Sequence, residues 1–267
     1  MSLERLLEHR RTWQRKQVLS GVYEVWFAAL LELLPETGRV LELGAGPGFL
    51  AGYAARHRPR LSWTSLDLIP TPWNDLAGDA QRLPFRAGSA SAVVAVDLIH
   101  HLARPALFFA EVARVLPAGG LLGVVEPWLS PFSHPVYRFL HEEGYRPALD
   151  PWRPFADGAG KDAFEGDSGV VTNLVRGTSE SEWRALGLEP PGLRLFGGFA
   201  YLLSGGFRRL CLLPRALLPV ALRVDRAARA IAPLVALRAL VTWRRAAWAP
   251  GASASSAPAV SPAPRWA

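Results

Sequence analysis

The sequence predicts an α/β protein built on a doubly wound, mostly parallel sheet. Four short segments predict strands, and segments with helical spacing separate them; the strands cover residues 39–43, 61–66, 92–96 and 121–125. Strands that alternate with helices form parallel sheets with helices on both faces. The chain has 267 residues, of which 50% are hydrophobic. This is enough apolar sequence to build the core that such a sheet needs.

The predicted helices follow in order along the chain. Residues 1–36 predict an N-terminal helical cap made of two helices. A further helix follows the first strand as far as about residue 56, and another covers residues 105–116. Thr178 is a predicted N-cap for a helix over residues 180–186, because a threonine hydroxyl can accept from the first free backbone N–H groups.

The last part of the chain predicts one more strand and an unstructured end. Apolar residues over 193–203 indicate a late strand. The Ala/Ser/Pro-rich residues 248–267 predict a disordered tail, because such a composition cannot bury a core. The folded domain is therefore expected to cover residues 1–247.

The net charge of +7 is concentrated in the last quarter of the chain. Residues 1–200 hold 20 basic and 22 acidic residues, whereas residues 201–267 hold 10 basic residues and one acidic residue, Asp225. The folded part of the chain up to residue 200 is thus close to neutral, so no specific nucleic-acid partner is predicted. The basic region bears on where the protein lies in the cell rather than on its chemistry.

Cysteine content and the absence of long apolar runs limit the compartment and the chemistry. The one cysteine, Cys211, excludes an intramolecular disulfide framework and a cysteine-based zinc site, and no metal is predicted. The charged N-terminus lacks the apolar core of a secretory signal. No run of about 18 uncharged apolar residues predicts a spanning helix. The expected location is cytoplasmic.

A glycine-rich turn follows the first predicted strand, with glycines at Gly44, Gly46 and Gly48. Glycine allows a ligand to approach the backbone at the start of a helix. Glu42 lies just before the turn, where a carboxylate repels a pyrophosphate but suits an ammonium group. Asp67 ends the second strand, where an acid can accept hydrogen bonds from two ribose hydroxyls. The alternative is a structural turn that binds no ligand.

Four blocks together resemble one family. They are Val40-Leu-Glu-Leu-Gly-Ala-Gly-Pro-Gly48, Leu66-Asp67, Gly78-Asp-Ala-Gln-Arg-Leu-Pro-Phe85, and Asp97-Leu-Ile-His-His-Leu102 with Glu111-Val-Ala-Arg-Val-Leu-Pro-Ala-Gly-Gly120. In this order and spacing the chain resembles class I S-adenosylmethionine (SAM)-dependent methyltransferases. The similarity is strongest to the branch that holds the ubiquinone/menaquinone-biosynthesis and other small-molecule methyltransferases. It covers residues 39–126.

The resemblance implies a Rossmann-like seven-stranded sheet that binds SAM. Its last two strands would be antiparallel, the sixth over residues 193–203 and the seventh over residues 237–243. Residues 204–235 would then form a helical insertion before the last strand. Residues 127–177 would form a lid on the acceptor side.

The resemblance also assigns roles by position. The glycines would pass close to the methionine part of SAM, Glu42 would hold its amino group and Asp67 its ribose. Asp79 would accept from the adenine amino group, and Asp97 would face the methionine end or the acceptor. The full set of predicted cofactor-binding residues is Glu42, Gly44, Ala45, Gly46, Gly48, Asp67, Leu68, Asp79, Ala80, Asp97 and His100. For His100 and its neighbour His101, the alternative is packing or capping of the following helix.

The chain departs from the family between the second and third strands. The usual helix is not predicted there, because residues 68–78 contain two prolines and are too few for a helix with its turns. A loop that carries Trp73 is expected to cover the adenine side instead. Leu83, Pro84 and Phe85 either wall the adenine or pack in the core.

The acceptor side is less specific. Residues 126–143 supply His134 and His141, either of which could be a base for a hydroxyl acceptor. The alternative is a solvated helix with polar residues facing water. Nearby aromatic residues suggest an acceptor pocket or lid, with some of them in the core: Trp128, Phe132, Trp152, Phe155 and Phe164.

The insertion predicts a basic amphipathic helix from Pro219 to about residue 232. On a helical wheel one face holds Val220, Ala221, Val224, Ala228 and Ile231, and the arginines lie away from it. Such a helix either lies on an anionic membrane surface or packs on its own domain with the arginines in water.

The function expected from these features is transfer of a methyl group from SAM to a small acceptor, hydrophobic or lipid-linked, by in-line displacement. Two alternatives stay open. One is a non-catalytic SAM-fold protein that serves as a partner or scaffold. The other is an NAD(P)-linked oxidoreductase, which would be expected to carry a clean dinucleotide-binding fingerprint.

Overall fold

The computed structural model describes residues 2–141, 143–155, 162–208 and 210–247, and a seven-stranded sheet lies at its centre. The strands are β1 (Gly38–Leu43), β2 (Leu61–Asp67), β3 (Leu76–Ala77), β4 (Ala92–Val96), β5 (Leu121–Pro127), β6 (Gly192–Phe196) and β7 (Arg238–Arg244). Their order across the sheet is β3-β2-β1-β4-β5-β7-β6. The first five pair in parallel, and β7 runs antiparallel to both β5 and β6. The predicted fold class is therefore confirmed.

Helices connect and cover these strands. They are α1 (Ser2–Arg15), α2 (Gln17–Leu31), α3 (Phe49–His57), α4 (Pro105–Val115), α5 (Ser133–Leu140), α6 (Val170–Gly177), α7 (Glu180–Ala185), α8 (Phe199–Ser204), α9 (Leu218–Ala227) and α10 (Ala232–Val235). Short 3-10 turns cover Ile99–His101, Arg215–Leu217 and Ala228–Ile231. Residues 68–75, all of them described, form no helix, as their prolines predict.

Apolar side chains pack on both faces of the sheet. On one face α2 buries Leu19 and Leu30 completely, and Leu30 lies so close to β5 that a Cβ on Gly123 would be 2.7 Å from its Cδ1. On the other face Trp183 of α7 and Trp243 of β7 lie with their ring centres 5.3 Å apart. Burial on both faces explains why the central strands are continuous apolar runs.

The strand predicted over residues 193–203 is wrong in its second half. β6 ends at Phe196, and residues from Phe199 onward form α8. A Cβ on Gly198 would lie 2.2 Å from Leu237 Cδ1, so only glycine fits where the chain turns past the start of β7. The glycine pair therefore ends the strand in the middle of an apolar run.

Asp225 stabilises the start of α8. Its two carboxylate oxygens accept from the backbone N–H groups of Phe199 (2.9 Å) and Ala200 (3.1 Å). A carboxylate at a helix N-terminus satisfies free donors and the helix dipole. The one acid of the basic region thus joins α9 to α8.

The helix predicted in the insertion forms, but its apolar face is turned outward. Leu218 and Leu222 pack against the core and Ala221 is buried. Val220, Val224 and Ile231, which were assigned to the same apolar face, are 51%, 50% and 51% exposed. The side of α9 that carries Leu218 and Leu222 therefore packs on the protein's own domain, whereas the predicted apolar face does not.

The described residues form one seven-stranded sheet, and β7 is its last strand along the chain. The predicted tail over residues 248–267 lies outside the described residues, as do residues 156–161 of the predicted lid. Within the described part of the chain, no helix combines the length and the apolar character needed to cross a bilayer.

A capping box begins α7 one residue later than predicted. Ser179 Oγ accepts from the Glu182 N–H, and the Glu182 carboxylate accepts from the Ser179 N–H (2.8 Å). Thr178, the predicted N-cap, instead ends α6, and its buried hydroxyl has no hydrogen-bond partner. Two satisfied donors make Ser179 the stronger cap.

The two residues are expected to differ in a denaturation experiment. Replacing Ser179 with alanine should lower the free energy of unfolding by about 1 kcal/mol, because a free backbone donor loses its acceptor. Thr178→Ala is the matched control and should change it by less than about 0.5 kcal/mol. Urea unfolding of both variants measures the difference. A larger loss for Thr178→Ala would contradict the observed cap.

Candidate active site

A cavity of about 380 Å³ opens beyond the carboxyl ends of β1, β2 and β4. Ligands of open α/β sheets bind at this edge. Ten of the eleven predicted cofactor-binding residues line it: Glu42, Gly44, Ala45, Gly46, Asp67, Leu68, Asp79, Ala80, Asp97 and His100. From the other side, Arg5, Leu6 and His9 of α1 cover the cavity, so the N-terminal helix closes over the site.

Gly48 is the predicted residue that lies outside the cavity. It precedes α3 with a φ of 74°, and a Cβ there would lie 2.9 Å from Trp73 Cδ1. Trp73 does not cover the adenine side as predicted, because its ring packs behind the turn and its Nε1 donates to Gly46 O (2.8 Å). Leu83 and Phe85 also lie outside the cavity wall and pack in or against the core.

The glycine turn shapes the cavity, but its Ala45 and Gly46 backbone N–H groups are already bonded within the protein. The Ala45 N–H donates to Leu66 O (3.1 Å), and the Gly46 N–H donates to Asp67 Oδ2 (2.7 Å). Gly44 and Gly46 have φ of 65° and 48°, a region that favours glycine. The tight turn therefore exposes main chain to the cavity while its amides bind within the protein.

Asp67 is held in place by two backbone donors. One oxygen accepts from Gly46 as above, and the other accepts from the Ile69 N–H (2.9 Å). The carboxyl is 8% exposed, and burial raises its pKa. Each oxygen keeps a further lone pair, so the fixed carboxylate can accept from a pair of hydroxyls.

Glu42 is a buried carboxyl in the cavity wall. It accepts from Trp63 Nε1 (2.7 Å) and is 4% exposed. Burial raises the pKa of Glu42 to about 8, against the smaller opposite effect of the Trp63 hydrogen bond. At neutral pH burial therefore favours the protonated carboxyl, and an ammonium group beside it would favour the charged form.

Ligand binding should consequently release a proton. Below pH 8 an ammonium-bearing ligand must ionise Glu42, so its affinity should rise with pH up to about 8. Titration calorimetry with SAM at about pH 6.5, in buffers of different ionisation enthalpy, should show release of about one proton. Glu42→Gln should bind more weakly and release none. Equal proton release by both proteins would contradict this assignment.

A buried arginine that was not predicted from the sequence forms an ion pair with Asp97. Arg238 of β7 is 3% exposed and pairs with Asp97 Oδ1, while Tyr23 donates to Asp97 Oδ2 (3.2 Å). The Arg238 guanidinium also donates to Tyr201 Oη (3.2 Å) and lies over the rings of Tyr201 and Trp26. In the sequence, the position of Arg238 within an otherwise apolar strand is the feature that could have indicated a buried, paired charge.

The strand end before the two histidines is strained. Asp97 has a φ of 54°, a conformation that non-glycine residues rarely adopt. The ion pair with Arg238 and the hydrogen bond from Tyr23 maintain it. This fixes where the Asp97 carboxylate faces the cavity.

His100 lies between two carboxylates. Its Nδ1 is 2.5 Å from Glu126 Oε2 and its Nε2 is 3.1 Å from Glu143 Oε2. Burial lowers the pKa of His100, but the two carboxylates outweigh burial and raise it to about 10. Burial and the neighbouring His100 lower the pKa of His101 to about 4. Both ring nitrogens of His100 are thus engaged by protein groups.

Of the two predicted base candidates, only His141 lines the cavity. Burial lowers its pKa, so the ring is neutral at pH 7, and its Nδ1 accepts from the Glu143 N–H (3.3 Å). That hydrogen bond places the ring proton on Nε2. His134 lies outside the cavity wall, where its Nδ1 bonds to the Tyr145 hydroxyl.

The aromatic wall of the cavity differs from the predicted one. Among the predicted aromatics only Phe164 lines it, whereas Trp128 and Trp152 are buried in the core. The other aromatic lining residues come from α2, α3 and the region after β6, and they are Tyr23, Phe27, Phe49, Tyr201 and Phe207. Sequence reasoning missed them because they are distant along the chain.

The residues present fit SAM. The buried Glu42 carboxyl suits an ammonium group and the fixed Asp67 carboxylate suits a diol. Leu68, Ile69 and Ala80 provide an apolar wall near Asp79, as an adenine ring requires.

Residues 41–124 match a family model described as a methyltransferase domain. The chain is 30% identical over 134 residues to demethylmenaquinone methyltransferase of Chlamydia trachomatis. The aligned stretch covers 46% of this chain and 58% of that protein. It is 39% identical over 97 residues to fatty-acid O-methyltransferase of Mycolicibacterium smegmatis (32% of this chain, 35% of that protein). It is 38% identical over 96 residues to phthiotriol/phenolphthiotriol dimycocerosates methyltransferase 1 of Mycobacterium ulcerans (32% and 35%).

Solved structures share the fold. A chain of the complex that contains the Haloferax volcanii Trm112 methyltransferase activator aligns with a TM-score of 0.51 at 15% identity, over 90% of this chain and 94% of that chain. Haemonchus contortus phosphoethanolamine N-methyltransferase 2, in complex with S-adenosyl-L-methionine, aligns with a TM-score of 0.50 at 16% identity, over 83% and 52%.

Fold, cavity and family match define a Rossmann-like protein with a ligand site at the carboxyl edge of its sheet. Residues 41–124 match a methyltransferase domain, as the motifs predict, and the chain spans 58% of the demethylmenaquinone methyltransferase and 35% of each of the other two relatives. S-adenosylmethionine is the cofactor that the motifs predict, and the residues that line the cavity fit it.

Proposed function

We propose that this protein transfers the methyl group of SAM to an apolar, lipid-linked acceptor that it meets at an anionic membrane surface. One observation carries the proposal. The cavity that holds Glu42 and Asp67 is walled by aromatic side chains, and one of these, Phe207, belongs to the insertion whose apolar side chains face solvent. The donor site and an exposed apolar surface are thus joined.

The donor end of the cavity orients the cofactor. When bound, SAM supplies a methyl group on a positively charged sulfur. Glu42 and Asp67 lie on different strands, so together they fix a ligand at two points. Leu6 and His9 of α1 also line the cavity, so the N-terminal cap forms part of its wall.

The acceptor end is apolar with a few polar groups. The ring of Phe207 stacks on His9 with centres 4.3 Å apart, and Tyr201 and Phe164 complete the wall. His141 presents a neutral ring with its proton on Nε2, so we give it the role of a donor that orients an acceptor oxygen. The relatives whose names include menaquinone, fatty-acid and dimycocerosate substrates support an apolar acceptor.

The N-terminal cap holds the insertion beside this end of the cavity. Lys16 Nζ lies 2.5–2.9 Å from the carbonyl oxygens of Ser204, Gly206, Arg208 and Leu210, which share its three N–H donors. Four carbonyls around one ammonium group restrain the loop that carries Phe207. These contacts tie the start of the insertion to the N-terminal cap.

The surface proposed to contact the membrane is here called the docking face. Its apolar members are each 50% exposed or more, and they are Leu210, Leu212, Leu217, Val220, Val224, Ile231 and Leu234. Exposed arginines flank them: Arg215, Arg223, Arg226 and Arg229. Apolar side chains beside basic ones suit an anionic bilayer, because burial and charge attraction then act together.

Vesicle binding tests the docking face. Arg223→Gln, Arg226→Gln and Arg229→Gln combined should weaken binding to phosphatidylcholine/phosphatidylserine vesicles about 100-fold, at about 1 kcal/mol for each arginine. The matched control replaces the exposed Arg60, Arg82 and Arg86 with glutamine and should bind as wild type does. Flotation measures both. Equal binding of wild type to vesicles with and without phosphatidylserine would count against the proposal.

Methyl transfer tests the reaction itself. SAM labelled in its methyl group is incubated with a demethylmenaquinone, a fatty acid and a water-soluble catechol, each presented with vesicles. Label should enter the apolar acceptors. Transfer to the catechol alone would refute the acceptor class, and SAM binding without transfer to any of a wide acceptor panel would favour the non-catalytic alternative.

A further inference from the structure

Two histidines and a glutamate in the cavity wall form a donor set that the proposed methyl transfer does not use. We propose that His100, His101 and Glu143 bind a divalent first-row transition metal ion. One ligand atom from each residue lies within 4.8 Å of the other two. His100 Nε2 is 3.1 Å from Glu143 Oε2, and His101 Nε2 is 3.8 Å from Glu143 Oε1.

These separations are close to those of a coordinated site. Bonds of about 2.0–2.2 Å to imidazole nitrogen and carboxylate oxygen place neighbouring tetrahedral ligands about 3.3–3.5 Å apart. Side-chain shifts of about half an ångström would therefore complete the arrangement. Two imidazoles and one carboxylate suit Zn²⁺ or Fe²⁺ rather than Mg²⁺ or Ca²⁺, which prefer oxygen ligands, and leave a coordination position open.

Glu126 supplies the support that metal-binding histidines usually have. It is fully buried, and its Oε2 lies 2.5 Å from His100 Nδ1. Its Oε1 accepts from the N–H groups of Leu98 (2.9 Å) and Ile99 (2.6 Å). A carboxylate on the far nitrogen fixes the ring and leaves Nε2 for a metal. A metal ion on Nε2 would replace the proton there, while Nδ1–H stays bonded to Glu126.

Backbone packing holds both rings in place. A Cβ on Gly166 would lie 2.7 Å from His101 Nδ1 and 2.8 Å from His100 Cδ2, so the rings occupy the space of a side chain. His100 O also accepts from the Asp167 N–H (3.0 Å). The rings are positioned before any ion arrives, as a metal site requires.

The charge of the cluster favours a cation. Glu126 and Glu143 both face the one imidazole of His100. Asp97, the next nearest carboxylate, is already paired with Arg238. Glu126 is fully buried and Glu143 is partly exposed, and these two carboxylates carry more negative charge than the single His100 imidazolium offsets, so a divalent ion would balance the remainder.

The site deepens the proposed function, on which this step rests. His100, His101 and Glu143 all line the cavity, so an open coordination position there could bind a hydroxyl oxygen of the acceptor. A metal-bound hydroxyl would lose its proton to solvent more readily, its oxygen would then form the bond to the methyl carbon as the bond from that carbon to the SAM sulfur breaks, and S-adenosylhomocysteine would leave. That assigns hydroxyl-bearing acceptors, methylated on oxygen, to this protein. Metal binding itself does not depend on methyl transfer.

Metal titration of the full chain tests the inference. After dialysis against a chelator, ZnCl₂ titrated by calorimetry should bind at about one ion per chain, and CoCl₂ should give the visible bands of a tetrahedral site. Glu143→Gln and His101→Gln should each weaken Zn²⁺ binding at least 10-fold and abolish the cobalt bands. The matched control is His134→Gln, a histidine outside the cavity.

Two results would overturn the inference. One is a wild type that binds neither ion stoichiometrically, and the other is equal binding by wild type and both ligand variants. Circular dichroism checks folding, and Glu143→Gln decides if His101→Gln fails to fold, because the Glu143 side chain is partly exposed. SAM is titrated in parallel. SAM binding without metal binding refutes only the metal site, whereas metal binding without SAM binding refutes only the proposed function.

Discussion

Replacing Asp67 with alanine should weaken SAM binding by at least about 100-fold. The carboxylate can accept two hydrogen bonds from a ribose, and bonds to a charged group contribute about 1.5–3 kcal/mol each. The variant also loses the acceptors of the Gly46 and Ile69 N–H groups, which shape the turn. Titration calorimetry with SAM and S-adenosylhomocysteine measures the loss.

Asp75→Ala is the matched control for Asp67→Ala. Asp75 also accepts two hydrogen bonds from β2, one from the N–H of Ser65 (2.7 Å) and one from its hydroxyl (2.8 Å). Unlike Asp67, it does not line the cavity. Its loss should lower stability and leave SAM affinity near that of wild type. Unchanged affinity in Asp67→Ala, or an equal loss in both variants, would contradict the donor-site assignment.

The second large effect concerns stability. Asp97→Ala should lower the free energy of unfolding by about 3–5 kcal/mol, because it leaves the Arg238 guanidinium buried without its counter-charge. For a domain of this size the midpoint of thermal unfolding should fall by about 10 °C. Differential scanning calorimetry measures both quantities.

A double variant separates charge burial from general damage. Asp97→Ala with Arg238→Met removes both charges, so it should recover part of the lost stability. Glu180→Ala is the control for an ion pair in water, since Glu180 and Arg184 are 62% and 60% exposed, and it should cost less than about 1 kcal/mol. A double variant less stable than Asp97→Ala would rule out a buried unpaired charge as the cause.

The fold was predictable where local pattern decides it. The apolar runs of β4 and β5 are buried almost throughout, so each stands out without reference to the rest of the chain, whereas β1 and β2 also hold the exposed Arg39 and Ser62. The prediction was wrong over residues 193–203, because a run of apolar residues does not show where two glycines and Leu237 force a turn. The predicted cap, Thr178, lies one residue before the observed cap, Ser179, because serine and threonine are both residue types that can accept there.

The candidate site divides in the same way. Glu42 and Asp67 were predictable because each lies at a strand end inside a contiguous motif. Arg238 and Tyr23 reach Asp97 from β7 and α2, and no spacing in the sequence connects them. Glu143 meets His100 in the same manner, from a segment for which the sequence predicts either an acceptor-side base or a solvated helix.

The sequence by itself determined the sheet, the donor motif and the confinement of basic charge to the C-terminal quarter. These depend on residues close together in the chain, where periodicity and strand ends constrain position. Only the tertiary structure decided which side of the insertion faces solvent, which aromatic residues wall the cavity and which groups surround His100. Those outcomes depend on packing and charge pairing between residues that are far apart in the chain, so no pattern in the nearby sequence predicts them.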